Sequence, residues 1–241
     1  IAHEESGGDL PEEEAEKFNY FYNKHPSGTT PSLCDMRDLY RHVTARLDGP
    51  RAHLFSTFYD YRFSTHAVQH GLWKNLIAFA HGYRNQPLPN LLEYQQSLFA
   101  LPSAHNEALI PLYPLPTHNH AWYYSWLDLP HLPFLKRRTL YHEHIYYSRM
   151  QTILHNISTH KPDVVLMYDM ENINLLKQSV QDFFSQAKFK AVKAVKQQIP
   201  QHHTADVNGT KLIITTQIPA LRHNRKETGF DWQELGRCLS V

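Results

Sequence analysis

The sequence predicts an α/β fold, a three-layer α/β/α sandwich with a central, mainly parallel sheet and additional N-terminal helices. Two observations lead there. Short apolar, β-branched runs such as "VVLMY" (residues 164–168) and "LIITTQ" (residues 212–217) read as buried strands. Between such runs lie segments with helical spacing, and strands separated by helices pair in parallel with both faces covered. At 241 residues the chain can bury one substantial core. A single α/β domain over residues 1–241 is therefore expected, with residues 1–48 as a helical extension packed on it.

The extension reads as two helical pieces. "PEEEAEKFNYFYNKH" carries Pro and acids in its first turn, which suits the positive end of a helix. "TPSLCDMRDLYRHVTARL" repeats apolar residues at Leu33, Met36, Leu39, Tyr40 and Val43, a helical period. After the turn signal "DGP", the aromatic stretch over residues 52–58 predicts a strand ending near Tyr59, Asp60 and Tyr61. "HAVQHGLWKNLIAFAHGY" has helical spacing up to Gly82, and a further helix is expected over residues 91–100. "EALIPLYPLP" begins as an apolar strand and is expected to become a loop at Pro111, because proline cannot donate inside a ladder. A long helix over residues 134–158 precedes a strand–helix unit, "KPDVVLMYDMENINLLKQSVQDFFSQ". "KFKAVKAV" alternates like a half-exposed strand, and residues 212–217 form the last strand.

Composition narrows the function classes. The two cysteines, Cys34 and Cys238, have neither zinc-ribbon nor disulfide-framework spacing, so a reducing, cytoplasmic setting is expected. No apolar stretch approaches the roughly 20 residues of a membrane-spanning helix, so no membrane association is expected. A net charge of +1 hides an acidic opening, "EESGGDLPEEEAE", and basic stretches at Lys136, Arg137 and Arg138, at residues 189–196, and at Arg222, Arg225 and Lys226. Such polarity suits a polyanion on one side, although a short charge run is ordinarily a solvated face. Eighteen histidines yield pairs by chance. His118 with His120, His142 with His144, and His202 with His203 lack the helical i, i+4 zinc spacing, and no metal site is expected.

Ligands of open parallel sheets bind beyond the carboxyl ends of the strands. That rule gathers four loops: Tyr59 to Tyr61, residues 111–120, Tyr168 with Asp169, and residues 217–225. Asp60, set between two tyrosines, is the candidate general base, with helix capping as its structural alternative. Tyr59, Tyr61, Phe63 and Tyr113 offer stacking surfaces, and Asp169 is a second acid. Gln217, His223 and Asn224 offer polar contacts. Arg222, Arg225, Lys136, Arg137 and Arg138 suit phosphates.

In motif order this arrangement resembles the uracil-DNA glycosylase superfamily over roughly residues 52–225. "LFSTFYDYRFSTHAVQHGLW" is similar to the family's first motif, with Asp60 in the carboxylate position and Tyr61 in place of the usual Pro. "ALIPLYPLP" is similar to the apolar strand that ends in a base-reading Asn, but Pro111 stands where that Asn is expected. "KPDVVLMYDM" resembles the internal strand, with Asp169 replacing Gly, and "TQIPALRHNR" resembles the "HPS" loop, with Gln217 in the His position. A second placement of the first motif is "IAHEESGG", with Glu4 or Glu5 activating water as in relatives with a "GEAPG"-like loop.

The resemblance implies a monomeric, cofactor-free and metal-independent DNA N-glycosylase. It would flip a nucleotide from double-stranded DNA, or take it from a single strand, and leave an abasic site. Catalytic roles fall to Asp60, Gln217 and His223, base binding to Tyr59, Tyr61, Phe63, Tyr113, Asp169 and Asn224. Losing the Asn and His positions argues against uracil and for a bulky modified pyrimidine, as in defence against phage with modified DNA. Two other classes remain open. One is a metal-dependent nuclease using Asp163, Asp169 and Glu171 or the His pairs. The other is a catalytically inactive DNA-binding module.

Overall fold

The computed structural model describes residues 1–6, 36–45, 47, 49–117, 122–126, 130–195, 199–220 and 229–240. In chain order its elements are β1 (Ala2–Ser6), α1 (Met36–Tyr40), α2 (Phe58–Phe63), α3 (Gly71–Tyr83), α4 (Leu91–Ser97) and β2 (Pro111–Thr117). They continue with α5 (Arg138–His160), β3 (Val164–Met167), α6 (Ile173–Phe183), β4 (Lys190–Val192), β5 (His202–Val207), β6 (Thr210–Ile214) and α7 (Trp232–Leu239). The chain is mixed α/β and divides into two compact units. One comprises Ile1, residues 67–108 and 156–241, and the other residues 2–66 and 109–155.

The first unit is built on a four-stranded sheet of order β3-β6-β5-β4. β3 and β6 are parallel, with Val164 opposite Lys211 and Met167 opposite Ile214. The pairings of β6 with β5 and of β5 with β4 are antiparallel, so this sheet is mixed. Leu212, Ile213 and Ile214 are fully buried, as a central strand of continuous apolar residues requires. Ile1 extends the pairing beside β3: its nitrogen donates to the Leu166 carbonyl, and its own carbonyl accepts from Tyr168 N at 3.0 Å.

Two features of this unit were not anticipated. β5 and β6 form a hairpin through Asn208 and Gly209, both at positive φ (51° and 87°), the Asn-Gly pair that a tight two-residue turn favours. α7 follows Asp231, whose side chain accepts from Glu234 N, and buries Trp232, Leu235 and Leu239 along one face. α7 lies directly on α3. A Cβ on Gly82 would stand 2.0 Å from the Gln233 carbonyl oxygen, and one on Gly236 2.2 Å from that of Phe79. Only glycine lets the two backbones come this close.

In the second unit β1 runs parallel to β2, with Ala2 opposite Pro111, Glu4 opposite Tyr113 and Ser6 opposite Thr117. Pro111 therefore opens a strand instead of ending one. β2 carries Pro111, Pro114 and Pro116 and pairs on one side alone among the described residues, where missing donors are tolerated. Arg149 donates to the Pro111 carbonyl at 3.1 Å, and the Tyr141 hydroxyl accepts from Leu115 N at 3.0 Å.

The strand expected over residues 52–58 is absent. Residues 52–54 make a short 3-10 turn, and α2 starts at Phe58. A capping box decides this: Asp60 N donates to Thr57 Oγ1 at 3.2 Å, while the Asp60 carboxylate accepts from Thr57 N at 3.0 Å. That reciprocal pair outweighs the β preference of the neighbouring aromatics. Of the two N-terminal helical pieces expected, only α1 and the few residues after it are described, and residues 7–35 lie outside the described residues.

Candidate functional site

At the carboxyl ends of β3 and β6, two predicted site residues meet. Asp169 N donates to the Gln217 carbonyl at 3.2 Å, Met170 N to the Thr215 carbonyl at 3.1 Å, and Thr215 N to the Met167 carbonyl at 2.9 Å. Asp169 sits at φ 58°, a left-handed conformation that Asp tolerates better than most residues. The backbone turns there, and both the Asp169 and Gln217 side chains are half-buried. Beneath them Thr215, fully buried, accepts from Gln217 N at 3.2 Å and donates its hydroxyl to the Gln201 carbonyl at 2.8 Å. This arrangement fixes the start of the 217–220 loop from below.

The same loop is held from α3. Asn75 Nδ2 donates to the Pro219 carbonyl at 3.0 Å across 144 residues of sequence. The amino end of α3 is in turn set by His70, whose Nδ1 accepts from Leu72 N at 3.2 Å and whose ring stacks on Trp73 at 4.4 Å. Behind His70 lies Gln95, entirely buried with its amide satisfied. Its Oε1 accepts from Gln69 Nε2 and His70 N, both at 2.8 Å, and its Nε2 donates to the Val68 carbonyl at 3.2 Å. None of Asn75, His70, Gln95 or Thr215 was singled out from sequence.

Asp60 has a different environment from the one expected of a general base. Its Oδ2 accepts from Ser56 Oγ at 2.6 Å, Ser56 N at 3.1 Å and Thr57 N at 3.0 Å. The Ser56 hydroxyl bond, opposed by partial burial and aided by the Thr57 and Ser56 backbone, holds its carboxyl below the usual value. The residues around it pack on one another. Tyr59 lies 5.6 Å from Phe63 and under Arg41, Tyr61 is edge-on to Phe55 with Arg62 over its ring, and Phe63 is buried beneath Arg37.

Tyr113 is also buried, its ring stacked on His142 at 3.8 Å, while Glu4 occupies the backbone position opposite it on β1. His144 stacks on Phe134 at 4.0 Å, and His202 is buried with Nδ1 2.9 Å from the Pro200 carbonyl. Lys136 and Arg137 are exposed ahead of α5, and Arg138, its first residue, is half-buried. Arg222, His223, Asn224, Arg225, His118 and His120 lie outside the described residues. Among the described residues no group of three or more His, Cys, Asp or Glu is placed to hold a metal ion, and no helix is long and apolar enough to cross a membrane.

No family model matches this chain, and neither the curated proteins nor the solved structures contain a significant match to it.

Proposed function

We propose that this chain is a DNA glycosylase that excises a modified pyrimidine, acting as a monomer on a flipped or single-stranded nucleotide within a uracil-DNA glycosylase-like sandwich. One observation carries the reading: Asp169 and Gln217, from the loops after two adjacent parallel strands, are joined by a hydrogen bond at the strands' carboxyl ends. Ligands of α/β sheets sit at such a place.

In the reaction, water adds to the sugar C1′ as the N-glycosidic bond breaks, and the base departs with the bonding electron pair. A carboxylate orients the water and takes its proton. We assign that role to Glu4 or Glu5 in place of Asp60, because Asp60 is engaged in a capping box and follows no strand, whereas β1 carries both glutamates. The Gln217 amide, with His223 and Asn224, supplies donors to the negative charge on the leaving base. Arg222, Arg225, Lys136, Arg137 and Arg138 contact phosphates. The base-reading Asn that the resemblance expects is missing from the sequence, which removes uracil's hydrogen-bond partner and favours a substituted base.

The test is incubation with plain, uracil-containing and hypermodified phage DNA in EDTA, followed by an abasic-site assay. Abasic sites in modified DNA, lost in Glu4→Gln or Glu5→Gln and kept in Asp60→Asn, support the reading. Abasic sites in no DNA overturn it, and strand cleavage restored by added metal ion would point to a nuclease instead.

A further inference from the structure

Between Asp182 and Asp206 the sequence holds four lysines, Lys188, Lys190, Lys193 and Lys196, and no acidic residue. This stretch forms the edge of the four-stranded sheet: β4 pairs with β5 on one side and with no strand on the other among the described residues. Lys188, Lys190 and Lys193 are exposed, as is every residue of β4. The Asn208-Gly209 turn closes on a bonded Val207–Thr210 pair, so Val207, Ala205 and His203 bond to β6, and Thr204 and His202 face Lys190 and Val192 of β4. Bonded and non-bonded pairs alternate along an antiparallel ladder. Lys190 and Val192 therefore bond to β5, and Ala191 turns its backbone N–H toward the open edge.

We infer that this edge is a contact surface for the sugar-phosphate backbone of DNA; the inference rests on the proposed function. The lysines provide ammonium groups, and the outward N–H group of Ala191 provides a neutral donor, the two kinds of group that bind phosphate oxygens. The intervening Ala191, Val192, Ala194 and Val195 carry no side-chain acceptor to compete with phosphate. Lysines on an open edge also discourage pairing with a foreign strand. That second effect is indifferent to DNA, so an experiment on DNA separates the two.

The experiment measures binding of the whole chain to a fluorescent duplex by anisotropy across a salt series, comparing the native protein with a Lys188→Ala, Lys190→Ala, Lys193→Ala variant. Each phosphate contact contributes about 0.9 to the slope of log affinity against log salt, so losing three lowers it by about 2.7, or about 40-fold in affinity change between 50 and 200 mM. A triple Arg variant, which keeps the charge, should retain the native slope and controls for folding. A native protein that binds DNA with a slope unchanged by the alanines overturns the inference and leaves the glycosylase reading standing. A native protein that binds no DNA overturns both. Equal affinity for polyglutamate of the same charge would reassign the edge to an acidic protein partner.

Discussion

Asp60 is where the chemical and the structural readings of one carboxylate make opposite predictions. Its Oδ2 gathers three hydrogen bonds from Ser56 and Thr57, completing the capping box that starts α2. Removing a capping side chain costs about 1 kcal/mol in a partly exposed setting such as this, with water screening the charge. In a chain of this size about 1 kcal/mol corresponds to a fall in Tm of about 2–4 °C. Asp60→Ala should show that fall, and Asp60→Asn, which keeps one acceptor, a smaller one.

The pH dependence of this effect has a definite sign. Because the hydrogen bonds favour the ionised form, the folded-state pKa lies below the ordinary value of 3.8. The cap's contribution is then fully present above that value and is lost as pH falls through the lower, folded value. The Tm gap between the native protein and Asp60→Ala should therefore hold at neutral pH and narrow below 3.8. Differential scanning calorimetry across pH 2.5–7 measures the gap, and the abasic-site assay runs in parallel on the same variants. A depressed pKa also makes a weak base at neutral pH, so activity should survive. Unchanged Tm in Asp60→Asn together with complete loss of abasic sites would refute this reasoning and return Asp60 to the chemistry.

Further outcomes follow from the first unit. Gly82→Ala must move a contact with a backbone oxygen from 2.0 Å to an ordinary 3.4 Å, and neither helix backbone can yield locally. Overpacking, less the helix propensity gained from Ala, leaves a net loss of about 2 kcal/mol, read as a Tm drop of about 4–8 °C; a rise in Tm would contradict the close crossing. Gln95→Ala strips His70 N and the Val68 carbonyl of their buried partner and should cost about 2–4 kcal/mol in urea unfolding. Asn75→Asp keeps the shape but removes the donor to Pro219, so under the proposed function it should lower the single-turnover rate of base release more than it changes KM. Lys177→Ala should raise the His203 pKa toward 6.5 in an NMR titration, since Lys177 stands second to burial among the causes that lower it.

What could be read from the sequence tracks how local each determinant is. β3 and β6 were legible because central strands are continuous apolar runs, and their juxtaposition of Asp169 with Gln217 follows from topology alone. β1, "AHEES", was not legible: nothing in its residues says strand, and its conformation comes from pairing with a partner more than 100 residues away. β5 buries His202, Ala205 and Val207 without strict alternation in a polar run, so its only local signal was the Asn208-Gly209 turn. Residues 52–63 failed for the opposite reason, since aromatic β propensity was ranked above a strong local signal, Thr57 with Asp60 three residues on, and capping by Asp60 stood only as the alternative. The side chains that support the 217–220 loop were beyond reach in principle. Asn75 meets Pro219 across 144 residues and Gln95 meets His70 across 25, and an amide on a helix is indistinguishable in sequence from a solvated one. The glutamates of β1 differ, because the motif resemblance named them although their strand was not legible. The sequence offered them as a second placement of the water-activating motif, and their claim strengthened when the strand expected before Asp60 proved to be a helix cap while Glu4 and Glu5 lay on a strand.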